Sequence, residues 1–122
     1  MANIIENTPG TPLCKVSELK KNNAKEVRVS SADGEVSIVI VSYKTQIYAF
    51  HNSCPHTGVP LNMFGDIFFD RSGNYLLCTS HGAHFHPDDG YCTSGPCRGK
   101  SLKRFPVIVI KDHVVIAEEN QK

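Results

Sequence analysis

Two short stretches, Cys54-Pro55-His56 and Cys78-Thr79-Ser80-His81, each bring one cysteine and one histidine close together along the chain. Thiolate is a soft ligand and neutral imidazole a borderline one, so the set selects zinc or an iron-sulfur centre over magnesium or calcium. A zinc finger with two cysteines and two histidines takes its ligands in the order Cys, Cys, His, His. Here the order is Cys, His, Cys, His. Each stretch thus offers one sulfur and one nitrogen. Two equivalent loops facing each other would put both sulfurs on one metal atom and both nitrogens on another, and that division of ligands calls for two metals.

Cys-x-His followed after 21 residues by Cys-x-x-His resembles the signature of Rieske iron-sulfur proteins. His81-Gly82-Ala83, Phe85, Gly90, Gly95-Pro96, Leu102 and Pro106-Val107 also read like that family's pattern after its second ligand pair. The resemblance implies one [2Fe-2S] cluster per chain, with Cys54 and Cys78 on one iron and His56 and His81 on the other. It implies a β base domain with a cluster-binding subdomain inserted in it, the histidines at the tip, backbone amides near Gly58 and Gly82 donating to sulfur, and Gly95-Pro96 shielding the cluster. A zinc site or a member that has lost its cluster is the competing reading. Respiratory members carry a disulfide between the ligand loops; Val59 and Ser80 stand at those positions. They also carry a serine and a tyrosine that bond to sulfur, where this chain has Ala83 and Phe85. Fewer donors leave the reduced, more negative cluster less stabilised, which predicts a potential near the low end of the Rieske range, about −150 mV against roughly +300 mV at the top.

Ligands held at fixed angles belong on loops braced by a rigid sheet, and the rest of the chain reads as short strands. Residues 26–31 alternate and are rich in valine, 36–41 are a β-branched run and 46–50 are short and aromatic, with Asp33-Gly34 as a hairpin turn between the first two. Loops follow at 52–65 and 79–96, with a strand over 74–78 leading into the second ligand pair. Residues 107–110 and 114–117 close the chain as a hairpin across Lys111-Asp112-His113, and 17–21 offer one helical turn. The fold class is all-β: an antiparallel, Rieske-like sandwich or barrel with the cluster-binding subdomain at about residues 52–97.

At 122 residues the chain is a single domain, too small to add an oxygenase catalytic domain to a Rieske one. A net charge of +1 with scattered basic residues lacks the footprint of a nucleic-acid binder. No apolar stretch is long enough for a signal peptide or a membrane span, so the cytoplasm is the expected location. Cys14, Cys92 and Cys97 remain once the ligands are taken; Cys14 reads as a packing residue, and Cys92 and Cys97, close enough to bond, as reduced structural thiols, with a redox-sensitive pair as the alternative. His51 and His113 lie outside the ligand pattern, and His84 and His86 read as solvent-facing. Met63 and Phe64 read as packing under the first loop, and Phe68, Phe69 and Tyr75 as core or loop packing.

By the resemblance, the chain is a soluble Rieske-type ferredoxin, carrying single electrons from a flavoprotein or other reductase to an oxygenase. It is not itself an enzyme: it has no dinucleotide fingerprint and no additional facial triad of two histidines and a carboxylate. The alternative is a Rieske-fold small subunit of an assimilatory nitrite reductase or similar complex. A zinc-stabilised binding module is the third reading.

Overall fold

Valine-rich alternation at residues 24–31 and the apolar run that follows produce the longest ladder in the protein. In the structure, a computed structural model that describes residues 4–32, 34–55, 57–65 and 67–118, β3 (Ala24–Ser31) pairs antiparallel with β4 (Gly34–Tyr43), Val27 opposite Ile38 and Val29 opposite Val36. Asp33, read as part of the connecting turn, lies outside the described residues. Val27 and Val29 are buried on either side of exposed Arg28, the expected face alternation. By contrast, residues 38–41 of β4 are buried without a break, so this strand is covered on both faces. β4 turns into β5 (Gln46–His51) through Lys44 and Thr45, both at positive φ (50° and 65°), the geometry of a tight two-residue hairpin turn. A short β1 (Ile4–Ile5) runs parallel to β3, completing a four-stranded sheet in the order β1-β3-β4-β5.

A second sheet, ordered β2-β10-β9, comprises β2 (Pro12–Lys15), β10 (His113–Ile116) and β9 (Val107–Ile110). The β9–β10 turn needs only Lys111 and Asp112, again both at positive φ (46° and 67°), so His113 joins the strand opposite Ile110 rather than the turn. A single 3-10 turn, Val16–Leu19, follows β2; the Glu18 carboxylate accepts the Lys15 amide at its start. Leu13, Leu19, Val27, Val29, Ile38, Ile40, Phe105 and Val114 are part of one buried core, with Cys14 packed among them as expected.

The chain divides into two units, Met1–Ala49 with Phe105–Lys122, and Phe50–Arg104; the elements above build the first. The second contains a three-stranded antiparallel sheet, β6 (Leu76–Leu77), β7 (His84–Phe85) and β8 (Cys92–Ser94), in that order. It is tied at its base by the His51 amide to Lys103 carbonyl bond (2.8 Å) and the Phe50–Arg104 bridge. The strand expected over 74–78 is only two residues long. Asp70 gathers Ser72 and the Gly73 amide into a turn on one side, and on the other Cys78 bends away into the second loop. No sheet among the described residues closes on itself into a barrel.

Candidate metal centre

The two ligand stretches fold into the same turn. In the first, the Cys54 amide donates to the Val59 carbonyl (2.8 Å) and the Gly58 amide donates back to the Cys54 carbonyl (2.7 Å). In the second, the Cys78 amide donates to Ala83 (2.9 Å) and the Gly82 amide to Cys78 (2.8 Å). Gly58 and Gly82 occupy equivalent positions at φ of +80° and +73°, a conformation that L side chains rarely adopt. The shared signal in the sequence is Cys-x-x-x-Gly, present twice. Both cysteines are buried, whereas His81 is exposed. His56 lies outside the described residues.

The turns are held to each other by side chains that the ligand pattern does not include. Thr79, inside the second motif, donates its amide and its hydroxyl to the Leu61 carbonyl (both 2.8 Å), and the hydroxyl oxygen accepts the Phe64 amide at 3.0 Å. From the other side the buried Asn52 accepts the Leu61 amide through Oδ1 (2.8 Å) and donates through Nδ2 to Asn62 (3.0 Å). Neither Thr79 nor Asn52 stands out in the sequence, because nothing local announces a partner so far along the chain.

The sulfurs form a connected group. Cys78 Sγ is hydrogen-bonded to Cys54 and accepts the backbone amides of Ser80 and His81; burial nevertheless pushes its thiol above the ordinary range, against the pull of those amides. Cys97 lies within hydrogen-bonding reach of Cys54 and 3.0 Å from Cys92, whose own thiol donates to the Ser94 carbonyl (3.2 Å). All five cysteines are free and buried. Burial, then the bond to Cys92, push the Cys97 thiol up to about 12. The segment carrying Cys97 lies against the second turn so closely that a Cβ on Gly95, at φ +101°, would meet Ala83 Cα at 2.7 Å.

Several side chains depart from their expected surroundings. Met63 and Phe64 do not pack under the first loop: they are 46% and 73% exposed, with Ile67 exposed beside them. Asn62 and Thr79 hold the backbone here, so no burial of these apolar side chains is needed to order the loop. His84 and His86 are half-buried rather than free in solvent. His84 bridges Asp70 (3.4 Å) and Ser94 (3.3 Å), and His86 stacks on Tyr75 and faces Asp89 (3.5 Å). Ala83 and Phe85, which bring no hydroxyl donor, are fully buried.

A family model described as the Rieske [2Fe-2S] domain matches residues 10–111. Among solved structures, the chain is similar to the ferredoxin of carbazole 1,9a-dioxygenase from Nocardioides aromaticivorans IC177, with 20% identity over 92% of this chain and 100% of that one and a TM-score of 0.69. It is also similar to the Sphingomonas yanoikuyae B1 ferredoxin, with 21% identity, 88% and 96% coverage and a TM-score of 0.66. The terminal oxygenase of carbazole 1,9a-dioxygenase from Novosphingobium sp. KA1 matches at 21% identity and a TM-score of 0.74, over 97% of this chain but 31% of the oxygenase. No curated protein matches the chain.

Proposed function

Because the chain belongs to the Rieske [2Fe-2S] domain family, we propose that Cys54 and Cys78 bind one iron of its cluster, that His56 and His81 bind the other, and that the protein works as a one-electron carrier. The observation that carries this reading is the repeated turn, which presents two buried thiols in contact and leaves His81 exposed. The donor set fits the group: two amide N–H groups already point at Cys78 Sγ, where iron-bound thiolate gathers negative charge. When bound, the cluster supplies a one-electron couple. The polypeptide excludes water from the sulfur side, fixes the two turns through Thr79 and Asn52, and leaves the imidazole side accessible to a partner.

The donor is a reductase and the acceptor an oxygenase-type protein. Solved relatives of this fold bear on the acceptor, since one is a ferredoxin in complex with the oxygenase of carbazole 1,9a-dioxygenase. The exposed Met63, Phe64 and Ile67 adjoin the second ligand turn through the Phe64–Thr79 bond, and they offer an acceptor an apolar contact beside the exposed imidazole. The chain is a carrier and not itself an enzyme. No helix among the described residues is long and apolar enough to cross a membrane, and we place its work in the cytoplasm.

Iron and labile-sulfide analysis with visible and electron paramagnetic resonance spectra tests the assignment. Cys78→Ala loses the cluster. His81→Cys keeps one, with spectrum and potential shifted toward an all-cysteine ferredoxin. A normal two-iron spectrum in Cys78→Ala overturns the ligand set.

A further inference from the structure

We infer that Ser94 is a modification site, its hydroxyl activated by His84 and Asp70 to take an acyl group from an ester or thioester with a good leaving group. The cluster has no part in this, so the inference stands apart from the ligand set proposed above. Asp70, His84 and Ser94 come together through the small sheet of the second unit. The β7–β8 ladder sets His84 directly opposite Ser94, and cross-strand partners on one face hold their Cβ atoms about 4.5–5.5 Å apart. Asp70 reaches the same place because its amide is bonded to the carbonyl of Tyr75 (2.9 Å), which precedes β6, the strand beside β7. A chain of contacts results: Asp70 Oδ2 lies 3.4 Å from His84 Nε2, and His84 Nδ1 lies 3.3 Å from Ser94 Oγ. Tyr75 packs edge-on against the imidazole at 5.8 Å and restricts its rotation.

The roles follow from the partners. A carboxylate can only accept, and first the Ser72 hydroxyl and then the Gly73 amide hold Asp70 in that ionised form. In neutral His84 the proton therefore sits on Nε2, which leaves a lone pair on Nδ1 facing the serine hydroxyl. This is the division of labour between a nucleophile, its base and the carboxylate that fixes the base's tautomer, which is recognised by geometry and not by order along the chain. The neighbouring Thr93 hydroxyl has no such base, since it donates to the His84 carbonyl (3.4 Å). Access fits as well: Ser94 is exposed, while the side chains of His84 and Asp70 are 32% and 18% exposed. Beyond Ser94, the Gly95 amide has no acceptor among the described residues, and the amide that follows a nucleophilic serine is well placed to stabilise an oxyanion. No third metal-ligating side chain joins Asp70 and His84 among the described residues, so the pair does not make a metal site.

In the step itself, Ser94 Oγ forms a bond to the acyl carbon and the bond from that carbon to the leaving oxygen or sulfur breaks. The serine proton passes to His84 Nδ1 and on to the leaving group; nothing is oxidised or reduced. The product is an alkyl ester, whose poor leaving group makes its hydrolysis slow, so the reaction is stoichiometric and the chain remains a carrier.

The test treats holoprotein with p-nitrophenyl acetate at mildly alkaline pH. One equivalent of nitrophenolate should be released in a burst, and peptide mapping should place the acetyl group on Ser94 ahead of the lysine amines. Ser94→Ala should lose the burst. At equal cluster absorbance, His84→Ala should slow it roughly 100-fold or more, and added imidazole should recover part of the rate, which a merely structural histidine would not allow. Asp70→Asn should slow it too, and Asp70→Glu should restore part of the loss. Acetyl groups spread over the lysines with none on Ser94 overturn the inference, a result read on the unaltered protein that needs no variant to fold. So does a burst in His84→Ala as fast as the original.

Discussion

Replacing Gly95 by alanine should unseat the segment that lies against the second ligand turn, and the cost has two separable parts. The first is backbone strain: at φ +101° an L side chain crowds its own peptide, at about 1–2 kcal/mol. The second is overlap: the added carbon would lie 2.7 Å from Ala83 Cα and 3.0 Å from Ala83 Cβ, and overpacking of this kind costs about 1–3 kcal/mol. Together they amount to about 2–5 kcal/mol. Gly99 provides the control, since it has φ +91° but a Cβ added there would meet nothing within 4 Å. Gly99→Ala should therefore bear the first cost alone. Urea unfolding of the two variants gives the difference, expected at about 1–3 kcal/mol. The Ala83 carbonyl accepts the Cys78 amide, so displacement of Ala83 pulls directly on the turn that carries the proposed ligand Cys78. Visible absorbance should consequently bleach faster in the presence of an iron chelator for Gly95→Ala than for Gly99→Ala. Equal stability and equal bleaching in the two variants would refute the reasoning.

Thr79→Val keeps the side chain's shape and removes its hydroxyl, leaving the Phe64 amide without its acceptor; a loss of about 0.5–1.5 kcal/mol should appear as faster hydrogen exchange at Phe64, and unchanged protection there counts against the clamp. Phe64→Ser should leave spectrum and midpoint unaltered while slowing electron delivery to an oxygenase partner by roughly 5–30-fold, the equivalent of about 1–2 kcal/mol; stopped-flow oxidation of the reduced protein measures it. The Asp70 carboxyl is held below its ordinary 3.8, first by the Ser72 hydroxyl and also by the Gly73 amide and His84. Its folded value is depressed, so its contribution to stability is present above the ordinary value and lost as pH falls through the depressed one. Asp70→Asn should flatten that acid limb of a denaturation profile, and an unaltered slope below about pH 4 argues against it.

The strands legible along the chain are those whose apolar period is long enough to stand out. Residues 26–31 and 36–41 announce β3 and β4 by valine and isoleucine alone, and the family likeness rests on ligand spacing that needs no tertiary information. β1, β2 and β8 are two to four residues each, too short for a period to show; they exist because a neighbouring strand offers its edge. The start of β10 reads one residue late, leaving His113 in the turn, because Lys111 and Asp112 adopt left-handed backbone without a glycine to signal it. Exposure of Met63 and Phe64 is hidden for a different reason. Apolar residues in a loop are expected to pack, and only the Thr79 and Asn62 bonds reveal that the loop is ordered without them.

The ligand residues alone cannot bring the two turns into register. Each turn closes on itself through bonds between its own cysteine and the residues four and five positions on, so each would form equally well with its partner misplaced. Thr79 removes that freedom: it sits next to Cys78 and makes three hydrogen bonds to Leu61 and Phe64, which follow the first turn directly. Asn52, two residues before Cys54, accepts the amide of that same Leu61, whose carbonyl Thr79 holds. The first turn is thus anchored on both flanks to one point, and that point is bonded to the second turn. An error of about 1 Å between supporting groups is enough to spoil a metal site, so the proposed cluster site depends on these neutral side chains to set Cys54 against Cys78.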